Sequence, residues 1–245
     1  MSGSATASAP TFALDGIQAV SFDLDDTFWD CAPAIEHAEA VLETWLEEHA
    51  PDVLERHRAG AGMQHRARLL ERTPALLGDV SELRKRSLAE LFREAGHAHA
   101  LSERAYEAFY RARSEVVLYD GVVELLEALS PRYRVAAITN GNADLERIGI
   151  ARHFELICVA TLDSPAKPDP YMFSRTLTRF GLEPQEMLHV GDNPGTDVGG
   201  AREAGCRACW FDPGGRAWPG PGPEPDVRVA TIAELHGLLL GRTAV

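Results

Sequence analysis

The sequence predicts an α/β protein: a parallel sheet covered by helices on both faces, with an all-helical block inserted behind the first strand. Three observations carry that reading. From Asp120 onward, short apolar runs alternate with helically spaced segments, the pattern of strand, helix, strand units with parallel strands. Far ahead of them, Ile17 to Phe22 is an apolar run that reads as a buried strand and must find its partners in that later sheet. Residues 29 to 118 lie between the two, with helical spacing throughout and no strand pattern. The expected organisation is a core of residues 1–28 and 119–245 and a helical cap domain of residues 29–118.

Each element has its own signal. Helical spacing begins at Pro33, where Ile35, Ala38, Leu42, Trp45 and Leu46 share one face. Gly60 to Gly62 and Thr73 to Gly78 interrupt the pattern. Ser81 is placed to cap a helix that carries Leu83, Leu88, Leu91 and Phe92 and ends at Gly96. Ser102 is placed to cap the next, with Leu101 and Tyr106 as a hydrophobic staple. After Asp120 a helix runs through Leu129, followed by a strand Val135 to Ile138, a helix near Asp144 to Ile150 and a strand Leu156 to Ala160. A helix Tyr171 to Phe180, a strand Met187 to Val190, a helix Asp197 to Ala204 and a strand Arg207 to Phe211 continue the alternation. Asp212 to Asp226 is dense in Gly and Pro and reads as a loop or arm, and Thr231 to Leu240 returns to helical spacing.

Composition narrows the class. A chain of 245 residues, 45% of them hydrophobic, can bury a full core. Its formal net charge of −13 disfavours a nucleic-acid partner but leaves small phosphorylated substrates open. The first ten residues, MSGSATASAP, lack Lys, Arg and an apolar centre, so they read as a flexible tail and not as a signal peptide. No segment is apolar enough to span a bilayer, and a cytoplasmic location is expected. Four cysteines do not make a disulfide scaffold. The Cys206 and Cys209 pair reads as small buried thiols at a strand and not as a metal or redox site.

In an open parallel sheet, ligands gather beyond the carboxyl ends of the strands. Chemistry-bearing residues follow four of the expected strands. Asp23, Asp25 and Asp26 come after the first; Thr139, Asn140 and Gly141 after the second; Lys167 in the loop after the third; Asp192, Asn193 and Asp197 after the fourth. Like charges about 4 Å apart repel by about 4 kcal/mol at an effective dielectric near 20, so the first acids need a cation. Oxygen-only ligands suit a hard ion such as Mg²⁺. Taken singly, each group also fits a turn, a solvated loop charge or a helix cap. Those readings do not explain why every such strand end carries chemistry while the strands are uniformly apolar.

The ordered motifs FDLDDT, ITNGN, Lys167 within AKPDP, and GDNPGTD resemble the haloacid dehalogenase superfamily over nearly the whole chain. The resemblance implies a Rossmann-like sheet of order 5-4-1-2-3, a helical cap between the first two motifs, and Mg²⁺ at the carboxyl edge. It assigns Asp23 as nucleophile and Asp25 as general acid and base. Asp23, the main-chain carbonyl of Asp25, and Asp192 would hold the metal. Thr139, the amide of Asn140, and Lys167 would bind phosphoryl oxygens, with Asp197 orienting Lys167 or a nearby water. Asn193 stands where many relatives have a second acid. The implied reaction is hydrolysis of a small phosphate monoester through an aspartyl phosphate.

Within the family, AAITNGNAD, LHVGDNPGTDVGGA and RACW resemble bacterial phosphatases acting on 5-amino-6-(5-phosphoribitylamino)uracil and flavin mononucleotide. Arg84 and Arg113 are then expected as polar substrate contacts from the cap, while Trp29 and Trp45 offer flat apolar surface. Phosphoglycolate or sugar-phosphate phosphatases and a phosphomutase are the alternatives on the same chemistry. A 2-haloacid dehalogenase needs neither metal nor an acid two residues past the nucleophile, and Asp25 and Asp192 count against it.

Overall fold

The structure, a computed structural model, describes residues 14–219 and 222–241. The expected N-terminal tail lies outside the described residues. Six parallel strands form one sheet: β1 (Ala19–Phe22), β2 (Arg134–Thr139), β3 (Leu156–Val159), β4 (Met187–Gly191), β5 (Arg207–Phe211) and β6 (Val227–Val229), in the order β3-β2-β1-β4-β5-β6. This is the expected order extended by one edge strand.

The strands are apolar on both sides because both faces are covered. Val20 and Phe22 of β1, Val135 and Ala137 of β2, Leu188 and Val190 of β4, and Phe211 of β5 join one cluster. The helices α6 (Val122–Leu129) and α10 (Ile232–Leu240) cover it through Leu125, Leu126, Leu235 and Leu239. The alternate residues Ala19, Ala136, Ile138, Met187 and Trp210 face a second cluster under α8 (Tyr171–Phe180), with Met172 and Phe173. Cys206 belongs to the second cluster and Cys209 to the first, so the two thiols sit on opposite sides of the sheet. Both are free, and burial pushes the Cys206 thiol up to about 12. A joint metal or redox site is thereby excluded.

Five α-helices stand between β1 and α6 in sequence: α1 (Cys31–His49), α2 (Pro51–Arg58), α3 (Ala61–Arg72), α4 (Val80–Glu94) and α5 (His99–Arg113). They share an apolar cluster of their own around Leu42, Leu46, Leu91, Phe92 and Phe109. Pro33 falls in the first turn of α1, where its missing N–H costs no helical bond. Two expected caps are corrected. Asp79, not Ser81, caps α4, accepting the Glu82 amide at 2.8 Å. Ser102 lies inside α5, which begins at His99, and its hydroxyl donates to the His99 carbonyl at 2.7 Å. The expected helix Asp197 to Ala204 is instead a π-helical turn, Pro194–Gly199, followed by the short α9 (Gly200–Glu203).

The two chain crossings between sheet and helices lie side by side. Tyr119 donates its amide to the Phe28 carbonyl at 2.8 Å and its hydroxyl to Asp30. Elsewhere Asp79 uses its second oxygen to accept the Leu162 amide at 3.2 Å, and Asn142 donates to Ser81 Oγ at 3.1 Å. The start of α4 is thus bonded to the loops that follow β2 and β3.

At the far edge, Asp226 ends the Gly- and Pro-rich arm and docks β6. Its carboxylate accepts from Arg202 and Arg207, both at 2.9 Å, and from the Ala208 amide at 2.8 Å. These contacts sit at the amino-terminal end of β5, opposite the loops just described. Asp226→Ala is expected to lower stability by about 1.5–3 kcal/mol, the scale for hydrogen bonds to a charged group. A urea titration would measure it, with the midpoint lowered and the fold retained under native conditions.

Candidate active site

β1 ends at Phe22, and alternation carries Asp23 to the side of the sheet occupied by Ser21 and His189. There it meets Lys167. Lys167 is 3% exposed, and its ammonium donates to Asp23 Oδ1 at 2.7 Å, Asp197 Oδ1 at 2.7 Å and the Ile138 carbonyl at 2.6 Å. All three of its protons have acceptors. One side chain therefore joins the ends of β1 and β2 to the turn after β4.

The loop that carries Lys167 is held by Asn140. Its side-chain amide donates to the Lys167 carbonyl at 2.9 Å and its side-chain oxygen accepts the Lys167 amide at 2.8 Å. Thr139 is buried, and its hydroxyl oxygen accepts the Gly141 amide at 2.9 Å, which leaves the hydroxyl proton to donate elsewhere.

Asp197 has both oxygens engaged, Oδ1 by Lys167 and Oδ2 by the Asn193 amide at 2.9 Å. His189 donates to the same Oδ1 over a longer 3.4 Å, and Ser21 Oγ lies 2.9 Å from its other ring nitrogen. Burial favours the neutral acid, but Lys167 and His189 overcome it and hold Asp197 well below the usual carboxylate range. Burial likewise pushes Lys167 down, while Asp197 and Asp23 raise it further and keep it charged. His189 is lowered, chiefly by burial, and is neutral. Asn193 accepts the amides of Gly195 and Thr196 and opens the π-helical turn. It is a cap there.

Asp23 behaves differently from Asp197. Burial raises its pKa, Lys167 only partly opposes that, and Asp197 and Asp25 raise it again. Asp192 is pushed up to about 7 by burial, with Asp197 and Asp26 adding to the shift. Two carboxyls that take up protons near neutrality are short of positive charge. Ligand oxygens of Asp23, Asp192 and Asp197 all lie within 4.8 Å of one another. Since both oxygens of Asp197 are already engaged by donors of the chain, Asp23 and Asp192 are the carboxylates of this group that best fit a hard divalent cation.

Asp25 has a different set of partners. The chain turns back after Leu24, with the amide of Phe28 donating to the Leu24 carbonyl at 2.8 Å and Asp26 in the left-handed region at φ 57°. The turn returns Trp29 to Asp25, and Nε1 donates to Asp25 Oδ1 at 2.8 Å. Arg113, at the end of α5, donates Nη2 to the same oxygen. The other oxygen packs on Gly141, where an added Cβ would lie 2.1 Å from Asp25 Oδ2.

The structure thus gathers Asp23, Thr139, Asn140, Lys167, Asp192 and Asp197 at one sheet edge, with Asp25 beside them. The residues expected as substrate contacts from the helices are engaged by other groups of the chain. Arg84 donates to Glu39 Oε1 at 2.8 Å and lies 3.6 Å over the Phe109 ring, so its guanidinium is held inside the helical block. Arg113 is bound to Asp25, and Trp29 is wholly buried and offers no open surface. Trp45 stacks on His49 and packs against the helical cluster. Sequence reasoning missed the pairing of Arg113 and Trp29 with Asp25. The tryptophan's closeness in sequence was a usable signal, whereas nothing local pointed to Arg113.

A buried acid at the end of the first strand, a buried lysine on it and a second acid after β4 make a charged centre at the carboxyl edge of a parallel α/β sheet. The chain belongs to the haloacid dehalogenase-like hydrolase family, whose model matches residues 17–205. It is 39% identical to a phosphoserine phosphatase of Thermus thermophilus over 66% of this chain and 67% of that protein. It is 33% identical to the 5-amino-6-(5-phospho-D-ribitylamino)uracil phosphatase YigB of Escherichia coli (strain K12), over 82% of this chain and 85% of that one. Among solved structures, it resembles a 2-haloacid dehalogenase from Pseudomonas syringae pv. Tomato DC3000, with TM-score 0.85 and 37% identity, covering 91% of this chain and 98% of the other.

The contact at Gly141 gives a direct test of the geometry. Gly141→Ala must displace the Asp25 carboxylate, and its backbone is not in the left-handed region, so folding is spared. Turnover should fall by about 100-fold, the scale for a misplaced reacting group, with little change in thermal midpoint.

Proposed function

We propose that this chain is a Mg²⁺-dependent phosphate monoester hydrolase that works through an aspartyl phosphate on Asp23. The observation that carries the reading is the unequal setting of clustered acids: Lys167 and His189 favour the ionised form of Asp197, while at Asp23 and Asp192 burial outweighs the positive charge nearby. Asp23 and Asp192 through their carboxylates, and Asp25 through its main-chain carbonyl, would hold the cation. When bound, Mg²⁺ supplies positive charge to Asp23 and to the phosphoryl oxygens.

The chain's own groups do the rest. Asp23 attacks phosphorus and the ester bond to the leaving oxygen breaks, giving the aspartyl phosphate. Asp25 gives a proton to that leaving oxygen, then takes one from the water that hydrolyses the intermediate. Thr139, whose hydroxyl proton is free, and the main-chain amide of Asn140 would donate to phosphoryl oxygens. Lys167 has no free proton in this arrangement, so it serves the phosphoryl group as a fixed charge beside Asp23 unless it exchanges a partner. Asp197 orients Lys167.

The substrate is a small phosphorylated metabolite. The ribitylaminouracil phosphate of flavin synthesis is the proposed one, supported by the motif likeness and by the extent of similarity to YigB, with flavin mononucleotide as a surrogate. The cap would be residues 29–118, and the four free thiols fit a reducing, cytoplasmic setting. A 2-haloacid dehalogenase is the second reading, carried by the structural likeness to such an enzyme. Release of phosphate from monoesters, against release of chloride from 2-chloropropionate, separates the two.

Three outcomes are expected. Asp23→Asn should be folded and without measurable phosphate release; turnover of p-nitrophenyl phosphate near the parental rate rejects the nucleophile. Chelation with EDTA should abolish activity and Mg²⁺ should restore it, whereas full activity after chelation favours the dehalogenase. Because Asp23 and Asp192 are raised, to about 8 and about 7, Mg²⁺ must displace protons from them, so its binding should weaken as pH falls below about 8 and should release protons to the buffer. Calorimetry in buffers of different ionisation enthalpy measures that release.

A further inference from the structure

We propose that Arg113 is a positioning residue that fixes which oxygen of Asp25 handles the proton, and so ties the general acid to the helical block. The inference rests on Asp25 acting as proton donor to the leaving group. Arg113 is 1% exposed and stands 88 residues from Asp25 in sequence. Its Nη2 and the Trp29 Nε1 both donate to Asp25 Oδ1. A proton on that oxygen would point at two N–H groups, so the neutral acid carries its proton on Oδ2. Oδ2 faces the loop after β2: the Cβ position built on Gly141 lies 2.1 Å from it and 3.3 Å from Thr139 Oγ1. That is the side on which the phosphoryl-binding groups stand.

The contact is unlike an ordinary structural ion pair. A guanidinium that only stabilised a carboxylate would use its fork on both oxygens. Here one nitrogen reaches one oxygen, while Nε and Nη1 of Arg113 are buried without partners. Such an arrangement is a poor stabiliser and a specific locator. Its base is rigid, because the Ser114 hydroxyl accepts the Asp144 amide at 2.9 Å and donates to the Tyr110 carbonyl at 3.2 Å. The end of α5 is therefore pinned to the same loop that Oδ2 faces.

The test measures kcat/KM of the Mg²⁺-loaded enzyme, which reports the phosphoryl-transfer step, on p-nitrophenyl phosphate and on glycerol 2-phosphate. The first leaving group needs little protonation and the second needs it fully. Arg113→Met should lose about 100-fold on glycerol 2-phosphate and less than about 5-fold on p-nitrophenyl phosphate, with Arg113→Lys recovering about tenfold of the larger loss. In an Asp25→Asn background, Arg113→Met should add less than about 2-fold. Equal losses on both esters, or a full additional loss in that background, overturn the proposal. If Asp25→Asn by itself loses equally on both esters, the general-acid reading fails, and the proposal falls with it. Should Arg113→Met not fold, judged by its thermal midpoint, Arg113→Lys and Trp29→Phe carry the test. Each should then show a loss of about tenfold confined to glycerol 2-phosphate, and a flat loss overturns the inference.

Discussion

The buried Lys167 ammonium is the constraint on which the site depends. Its three acceptors come from the ends of β1 and β2 and from the turn after β4, so a single cation brings together segments remote in sequence. Without it, Asp23 and Asp197 would face each other across a dry space, and breaking such a buried pair costs about 3–5 kcal/mol. Lys167 does not share its charge equally. Asp197 has a second donor in the Asn193 amide and a third in His189, whereas Asp23 Oδ2 takes part in no hydrogen bond found among the described residues. That inequality leaves Asp23 with one oxygen held by Lys167 and the other without a hydrogen bond among the described residues.

Much of the sheet was legible because strands buried on both faces read as continuous apolar runs, and the polar residues after them mark the carboxyl edge. Val135 to Ile138 followed by Thr139 is such a case. β6 was not legible: three residues, Val227–Val229, follow a Pro-rich arm, and their pairing depends on the Asp226 carboxylate and not on apolar length. The cap of α4 went to Asp79 over Ser81 because a carboxylate two residues earlier could also accept the Leu162 amide, a tertiary bond invisible to local rules. The same limit applies to Arg84. A cationic side chain on a helix reads as solvated or substrate-facing until Glu39 and Phe109 are known to lie beside it.

The helical block and the sheet meet at several polar points in place of one broad apolar seam. Tyr119 links the two chain crossings, Asp79 and Ser81 reach the loops after β3 and β2, and Ser114 reaches Asp144. Polar contacts of this kind are each worth about 1 kcal/mol net and re-form readily with water. The block's own core, around Leu46, Leu91 and Phe92, does not depend on them. The block therefore has its own packing, and its links to the core are these polar contacts together with the Arg113 bond to Asp25.

The reach of Arg113 into the loop of β1 bears on how such an insertion can diverge. An inserted block of helices looks like an accessory that could be exchanged for that of a relative without touching the chemistry beneath. In this chain it is not separable in that way. A graft that replaced residues 31–113 by other helices would leave Asp25 with Trp29 alone, unless the donor supplied a guanidinium at the same spot. Whatever else in the insertion changes, this one arginine belongs, by its contact, to the loop that follows β1.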